Sequence, residues 1–326
     1  MRGYKTTRRE FLRLLGCTPL ALTLPLQTGC DAEQPRGSST VALVKSGDTA
    51  VMLRRAVALA GGLDFIAPGD SVLLKVALNS PNPFPATTSP EVVAELTALL
   101  KEQGAGTVYV GDRSPVWQDT AECMQSTGIS DAARSAGAEP VEFADADMLR
   151  VYPAAARYWP GGLTLPRLFT GVDHIIALPT LRTHALADFT MGIKIFVGAL
   201  LQDDRYAMHR SLNFLKAIGE IPLFTGNIRL SLLDARLGFN RDGPDEGTLI
   251  TPGSMIASRD LVAADAVGVA LLQTTDTTPK LLATRVWDHP TIKRAVQAVS
   301  PHLSGDTLQL VTGGIANEAE IKDLLS

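Results

Sequence analysis

Cysteine is scarce: the 326 residues contain three, and two of them, Cys17 and Cys30, fall within the first thirty. Only Cys123 remains beyond that point, so no internal disulfide and no cysteine-ligated zinc or iron–sulfur cluster is expected in the main domain. Long apolar runs are also missing. The most apolar stretch near the amino terminus runs for about a dozen residues and is broken by Pro19 and Pro25, short of the ~20 that span a bilayer. Positive charge is thin outside that region. The formal net charge is -4, yet the first thirty residues hold Arg2, Lys5, Arg8, Arg9 and Arg13 against Glu10, leaving the remainder at -8. With no Lys/Arg cluster there, a general nucleic-acid binder is excluded. No strand is followed by GxGxxG or GxxxxGK[ST], and GxSxG and HExxH are absent, so standard dinucleotide, phosphate-loop, serine-hydrolase and zinc-protease sites are unsupported. No carboxylate pair has a spacing diagnostic of glycoside cleavage.

What is present begins with TTRREFLR (residues 6–13) ahead of LLGCTPLALTLPL. Thr7-Arg8-Arg9-Glu10-Phe11-Leu12-Arg13 resembles a twin-arginine export signal. The resemblance implies recognition by the twin-arginine translocation machinery, export in a folded state, often with a cofactor already bound, and residence in the periplasm or cell envelope. LQTGC resembles a lipoprotein processing site with Cys30 acylated, although Gln27 stands where an apolar residue is usual; ordinary cleavage nearby is the alternative. On this reading residues 1–30 are the signal and 31–39 a flexible tether. Membrane contact is then expected only through a lipid on Cys30.

From residue 40 onward, β-branched runs alternate with helical patterns. Strands are expected at 40–46, 71–78, 107–112, 140–145, 173–179, 228–235, 254–260 and 308–314, with helices such as TAVMLRRAVALAG, SPEVVAELTALLKEQG, RSLNFLKAIGEI and LVAADAVGVALLQ between many of them. The pattern predicts an α/β fold, a largely parallel sheet flanked by helices and Rossmann-like, with residues 40–272 as the main domain and 273–326 as a C-terminal α/β extension packed on it. RYWPGGLTLP (157–166) is either a junction between two lobes or a surface loop.

Ligands of such sheets bind beyond the carboxyl ends of strands, so polar residues there carry weight. Lys75 ends a buried run, and Thr87, Thr88 and the N-cap candidate Ser89 lead into a helix with Pro90 at its first position, a setting able to hold a carboxylate or phosphate. A surface lysine beside a capped helix is the plainer alternative. Asp112 follows TVYVG and either orients a base or caps the next turn. IIALPTLRTH reads as a strand stopped at Pro179, placing Arg182 and His184 in the loop at its carboxyl edge, with DFTMGIKIFVGAL bringing Lys194 back over that edge. His209 precedes another helix. Asp234 is expected at a strand end, and residues 243–247 form a turn-rich segment that either folds over a ligand or is solvated. Asp260 is read as a helix cap, Asp265 as a structural contact, and Cys123 as a half-buried thiol rather than a nucleophile. His174 is read as structural, and His289 and His302 as capping the terminal segment.

LLKVALNS, TTSPEVVAELTALLKEQGA, VYVGDRS, HIIALPTLRTHALADFTMGIKIFVGAL, LLDA with GPDEG, and ASRDLVAADAVG occur in an order similar to the family called domain of unknown function 362, over roughly residues 38–272. The resemblance implies the architecture and the site positions Lys75, Asp112, Arg182, His184 and Lys194, but no reaction. Here Val76-Ala77 replace the family's usual Pro-Asn, Arg182-Thr183-His184 its Lys-Thr-His, and Lys194-Ile195 its Lys-Asn, which keeps the charge and removes two amides. The series His184, Lys194, His209 also resembles that of nickel-pincer lactate racemases. That resemblance implies proton transfer by His184, a metal-organic cofactor held by Lys194, and a metal ligand in His209. The expectation is therefore a pocket for an anionic small molecule or cofactor. Asp112 and His184 would be its catalytic groups and Lys75, Thr88, Arg182 and Lys194 its binding groups, performing acid/base or redox chemistry on a carboxylate-bearing substrate. A non-catalytic binding or cofactor-delivery lipoprotein is the alternative.

Overall fold

All eight of the expected runs form strands in the computed structural model, which describes residues 37–143 and 147–326. The twin-arginine motif, Cys17, Cys30 and most of the tether lie outside the described residues. The strands are β1 (Ser39–Lys45), β2 (Val72–Val76), β3 (Val108–Asp112), β4 (Glu139–Glu142), β5 (Met148–Val151), β6 (Leu163–Pro166) and β7 (His174–Leu178). They continue with β8 (Thr180–His184), β9 (Asp188–Phe189), β10 (Ile228–Arg241), β11 (Thr248–Ile250), β12 (Ser254–Ser258) and β13 (Leu308–Gly313). The main sheet runs in the order β13-β1-β12-β10-β7-β2-β3-β4. It is mostly parallel; β12 is the strand that runs against both its neighbours, β1 and β10.

The alternation of side chains along each strand explains why helices cover both faces. Val41, Leu43, Leu73, Ile175, Leu233 and Ile256 enter one core, capped by the buried, mostly apolar helix Leu261–Gln273. Their neighbours Ala42, Val44, Leu74, Ile176, Leu232 and Ala257 enter the other, under the helices Thr49–Leu59 and Pro90–Gln103. With β2, β7 and β12 buried at every position, their sequences are mostly apolar, with Lys75, His174, Ser254 and Ser258 as the polar exceptions. Residues Pro35–Ser326 form one compact unit. Among the described residues no helix is long and apolar enough to cross a membrane.

Three local readings change. Pro179 does not end the ladder: the chain resumes as β8, parallel to β10 with a register shift between Asp234 and Gly238, so Arg182 and His184 sit on a strand. β10 in turn runs through Asp234 to Arg241, which puts that carboxylate inside the strand, held by the Arg236 guanidinium. RYWPGGLTLP links β5 to β6, and within it Trp159 is buried and donates its Nε1–H to the Ala217 carbonyl at 2.9 Å.

The loop carrying Lys194 is fixed from behind by a charge. Asp265, in the middle of the buried helix Leu261–Gln273, accepts from the amides of Gly192 and Ile193, each at 2.7 Å. Gly192 is obligatory here, since a Cβ would lie 2.8 Å from Asp265 Oδ1 and 2.7 Å from Leu261 Cδ1. Burial pushes the Asp265 carboxyl up to about 7 against those two hydrogen bonds. Asp260 caps the same helix through Val262 and Ala263. Asp265→Ala strands two buried amides, and the expected loss is about 2–5 kcal/mol in urea denaturation.

Candidate functional site

The geometry of the site starts at the exits of β2 and β3. Lys75 is completely buried, and its ammonium donates to Asp112 Oδ1 at 2.7 Å and to the Val76 carbonyl at 2.7 Å. Asp112 also accepts from the amides of Leu78 and Arg113, both at 2.7 Å. Burial pushes the carboxyl up and the ammonium down, and their mutual attraction opposes both shifts. Gly198 lies against the pair: a Cβ there would come within 1.9 Å of Asp112 Oδ1 and 3.0 Å of Lys75 Nζ. This pair is structural in its contacts, joining three segments at the base of the site. Thr88 is likewise spent internally, accepting from Ala77 N and donating to Leu178 O. Ser89 occupies the N-cap position, but its hydroxyl makes no capping bond.

Above this base opens a cavity of about 480 Å³, lined by Asp112, Arg182, His184, Lys194 and His209 among others. The sequence expectation thus finds five of its residues on one lining, with Lys75 beneath it and Thr88 turned into the wall. Arg182 Nη1 donates to Asn79 Oδ1 at 2.9 Å, to the Pro244 carbonyl at 3.1 Å and to the Ala86 carbonyl. Asn79 therefore supplies, from two residues further on, an amide of the kind that the change at Ala77 removed.

His184 and His209 present opposite faces of the imidazole. His184 Nδ1 accepts from the amides of Leu186 and Ala187, at 3.1 and 3.2 Å. The proton of the neutral ring is thus on Nε2, which makes this side chain a donor toward a ligand. Burial, then the positive Lys194 and Arg182, push its pKa down to about 2, so it stays neutral. His184, expected from the sequence to transfer protons, has its Nδ1 lone pair taken by these two amides and is left with the Nε2–H. His209 is tied the other way: Nδ1 lies 2.7 Å from the Arg205 carbonyl, which only accepts, so Nδ1 carries the proton and Nε2 keeps its lone pair.

Lys194 has no ion-pair or hydrogen-bond partner among the described residues, although it is only 9% exposed. Burial, then Arg182 and Arg205, push its pKa down to about 7. Arg205 itself is held by the carbonyls of Ser114, Arg113, Gly198 and Leu200, at 2.7–3.1 Å. The opposing charge that acts on it is Asp245, whose carboxyl burial pushes up and Arg182 and Lys194 pull down. Around the lining Asn79 Nδ2, Arg113 Nη1, Arg182 Nε, Gln202 Oε1 and Asp245 Oδ1 are buried without a partner. Buried polar atoms are normally satisfied, so a group of them on one wall marks the place of a polar ligand.

Asp245 arrives because the turn of the β10–β11 hairpin places Pro244 and Asp245 on the cavity lining, while Glu246 and Gly247 are exposed. Arg205 and Tyr206 come from the helix Gln202–His209, and Trp117 from the loop after β3; only proximity to His209 in sequence hinted at the first two. Among the described residues, no three His, Cys, Asp or Glu side chains assemble as a metal-holding group. A metal here would have to arrive already held by an organic group, with His209 Nε2 adding one ligand and Lys194 facing the group's negative charge. The donor set fits that much of a metal-organic cofactor. Cys123 is fully buried, and burial pushes its thiol up.

Comparison with known proteins gives a family match and distant structural likenesses. The family described as Domain of unknown function (DUF362) matches residues 72–270. A thylakoid-associated protein of Synechocystis sp. is 29% identical over 242 residues, covering 70% of this chain and 71% of that protein. A crystal structure of a Thermotoga maritima protein aligns at 13% identity and a TM-score of 0.46, over 69% of this chain and 59% of that one. The lactate racemase apoprotein from Thermoanaerobacterium thermosaccharolyticum aligns at 14% identity and a TM-score of 0.42, over 87% and 86%. At such scores neither likeness bears on function.

Removing one partner of the buried pair leaves the other charged and unsolvated. Lys75→Met is expected to cost about 3–5 kcal/mol in chemical denaturation, and Lys75→Met with Asp112→Leu to recover much of it. A single variant as stable as the parent would show that the pair is not ionised.

Proposed function

This chain belongs to the family described as a domain of unknown function (DUF362), and from that premise we propose that its strand-end cavity binds a small organic anion through a carboxylate. One observation carries the reading: Lys194 is buried, feels the guanidiniums of Arg182 and Arg205, has no ion-pair or hydrogen-bond partner among the described residues, and is opposed only in part by Asp245. A cation cluster so partly compensated in a low-dielectric wall is costly, and an anionic ligand lowers that cost. Lys194 and Arg182 hold the carboxylate, the latter through its unpartnered Nε. The His184 Nε2–H donates to a ligand oxygen and stabilises charge that develops there. The His209 Nε2 lone pair accepts a proton from the carbon beside the carboxylate, which makes acid/base exchange at that carbon the chemistry best suited to this lining. A metal-organic cofactor in the same cavity would add Lewis acidity, with Lys194 and His209 holding it.

We also propose that the chain is exported folded by the twin-arginine route and tethered through Cys30, on the strength of residues 6–13 and 26–30. The thylakoid association of the Synechocystis relative is in keeping with a place beside a membrane.

Lys194 is protonated below about pH 7 and loses its charge above it. Carboxylate affinity is therefore greatest below pH 7 and falls as pH rises, with the fall displaced upward because the bound anion raises the lysine pKa. Calorimetry with propionate should show this fall in the parent and a flat profile over the same range in Lys194→Arg; an equal slope in both would remove Lys194 from the site. For the chemistry, deuterium uptake from D₂O at the carbon beside the carboxylate, followed by NMR across a series of 2-hydroxy acids, is expected in the parent and lost in His209→Gln. Tight binding with no uptake from any acid would leave a binding or delivery protein.

A further inference from the structure

Ten large hydrophobic side chains stand exposed among the described residues, and four of them line this one cavity. They are Val116, Trp117, Leu186 and Tyr206, and they come from three separate segments: the loop after β3, the β8–β9 turn and the helix Gln202–His209. Scattered exposed hydrophobics need no explanation, whereas convergence on one opening does. Exposure is also graded in an unusual sense. The cations Arg182 and Lys194 are 3% and 9% exposed, while Trp117 is 75% exposed and Leu186 62%. Charge lies inside and apolar surface outside, the reverse of an ordinary protein surface.

Building on the reading of a carboxylate site, we propose that the ligand is an amphipathic carboxylic acid: its head enters toward Lys194 and Arg182, and its apolar tail leaves the cavity across Trp117, Leu186 and Tyr206. Such a molecule matches the gradient end for end. The volume of about 480 Å³ suits it, lying within the range of roughly 300–1,000 Å³ that encloses ligands much larger than a two- or three-carbon acid. A membrane surface accounts for the rim less well, because the cations are recessed and cannot meet lipid phosphates. A tail that covers Trp117 also removes from water the apolar area that the free protein leaves exposed.

Calorimetry on the full chain at pH 6.5 with acetate, hexanoate and decanoate tests the assignment. Affinity is expected to rise about fourfold for each methylene that becomes covered. The dependence on chain length should shrink in Trp117→Ala and in Leu186→Ser, both at exposed positions, and decanoate should weaken in Lys194→Gln. Equal affinity for acetate and decanoate overturns the tail while leaving the carboxylate site standing. Decanoate binding unchanged in Lys194→Gln overturns head-first entry. Absence of binding by all three acids removes the carboxylate reading itself. Retention on neutral phosphatidylcholine vesicles that depends on Trp117, without decanoate binding, assigns the rim to a membrane instead.

Discussion

The buried Lys75–Asp112 pair fixes the frame on which the site is built. It joins the exits of β2 and β3, and through its contact with Gly198 it sets how closely the turn after Lys194 approaches the sheet. Two amides complete the carboxylate and a carbonyl takes a further ammonium proton, so the pair is nearly self-sufficient. That self-sufficiency separates it from the cavity above. A buried pair contributes little net stability over an apolar substitute, but it admits very few alternative arrangements of the segments around it.

The charges above the pair are organised on the opposite principle. Lys194, Arg182 and Arg205 crowd one lining with Asp245 as partial compensation, and desolvation lowers the pKa of each of these three. The loop holding Lys194 cannot relax away, because Asp265 grips its first amides from the core side. The β8–β9 hairpin is held in the same manner: Asp188, in a left-handed conformation at φ 66°, takes Lys280 at 2.7 Å and His289 at 3.1 Å from the C-terminal segment. Residues beyond 272 thereby brace the hairpin that carries Arg182 and His184. Electrostatic tension in the cavity is maintained by rigidity outside it.

How much of this was legible in the sequence depended on the range of the interaction. The runs of the central strands were legible because burial at every position of β2, β7 and β12 favours apolar residues there, and the position of Asp260 ahead of a mostly apolar helix showed its capping role. Strand-end logic collected Asp112, Arg182, His184, Lys194 and His209. Two of the failures were non-local. Pro179 looked like a terminus because the bulge in β10 that lets β8 resume is invisible from β8 itself. Thr88 looked exposed because its two partners lie eleven and ninety positions away. The orientation of His184 is set by amides two and three residues on, which no residue type encodes. Arg205 gave no signal, since its partners are carbonyls that every residue possesses.

One feature of the sheet bears on the order in which the chain acquires structure. β1, the first described strand, lies between β12 and β13, pairing with Ser254–Ser258 on one side and Leu308–Gly313 on the other. Both partners lie more than 200 residues downstream, so β1 must wait as an unpaired edge until nearly all of the chain has been synthesised. Whatever precedes residue 37 is thus attached to the strand that finds its neighbours last. The completion of β1 is a physical signal, available at the amino terminus, that the other end of the molecule has folded.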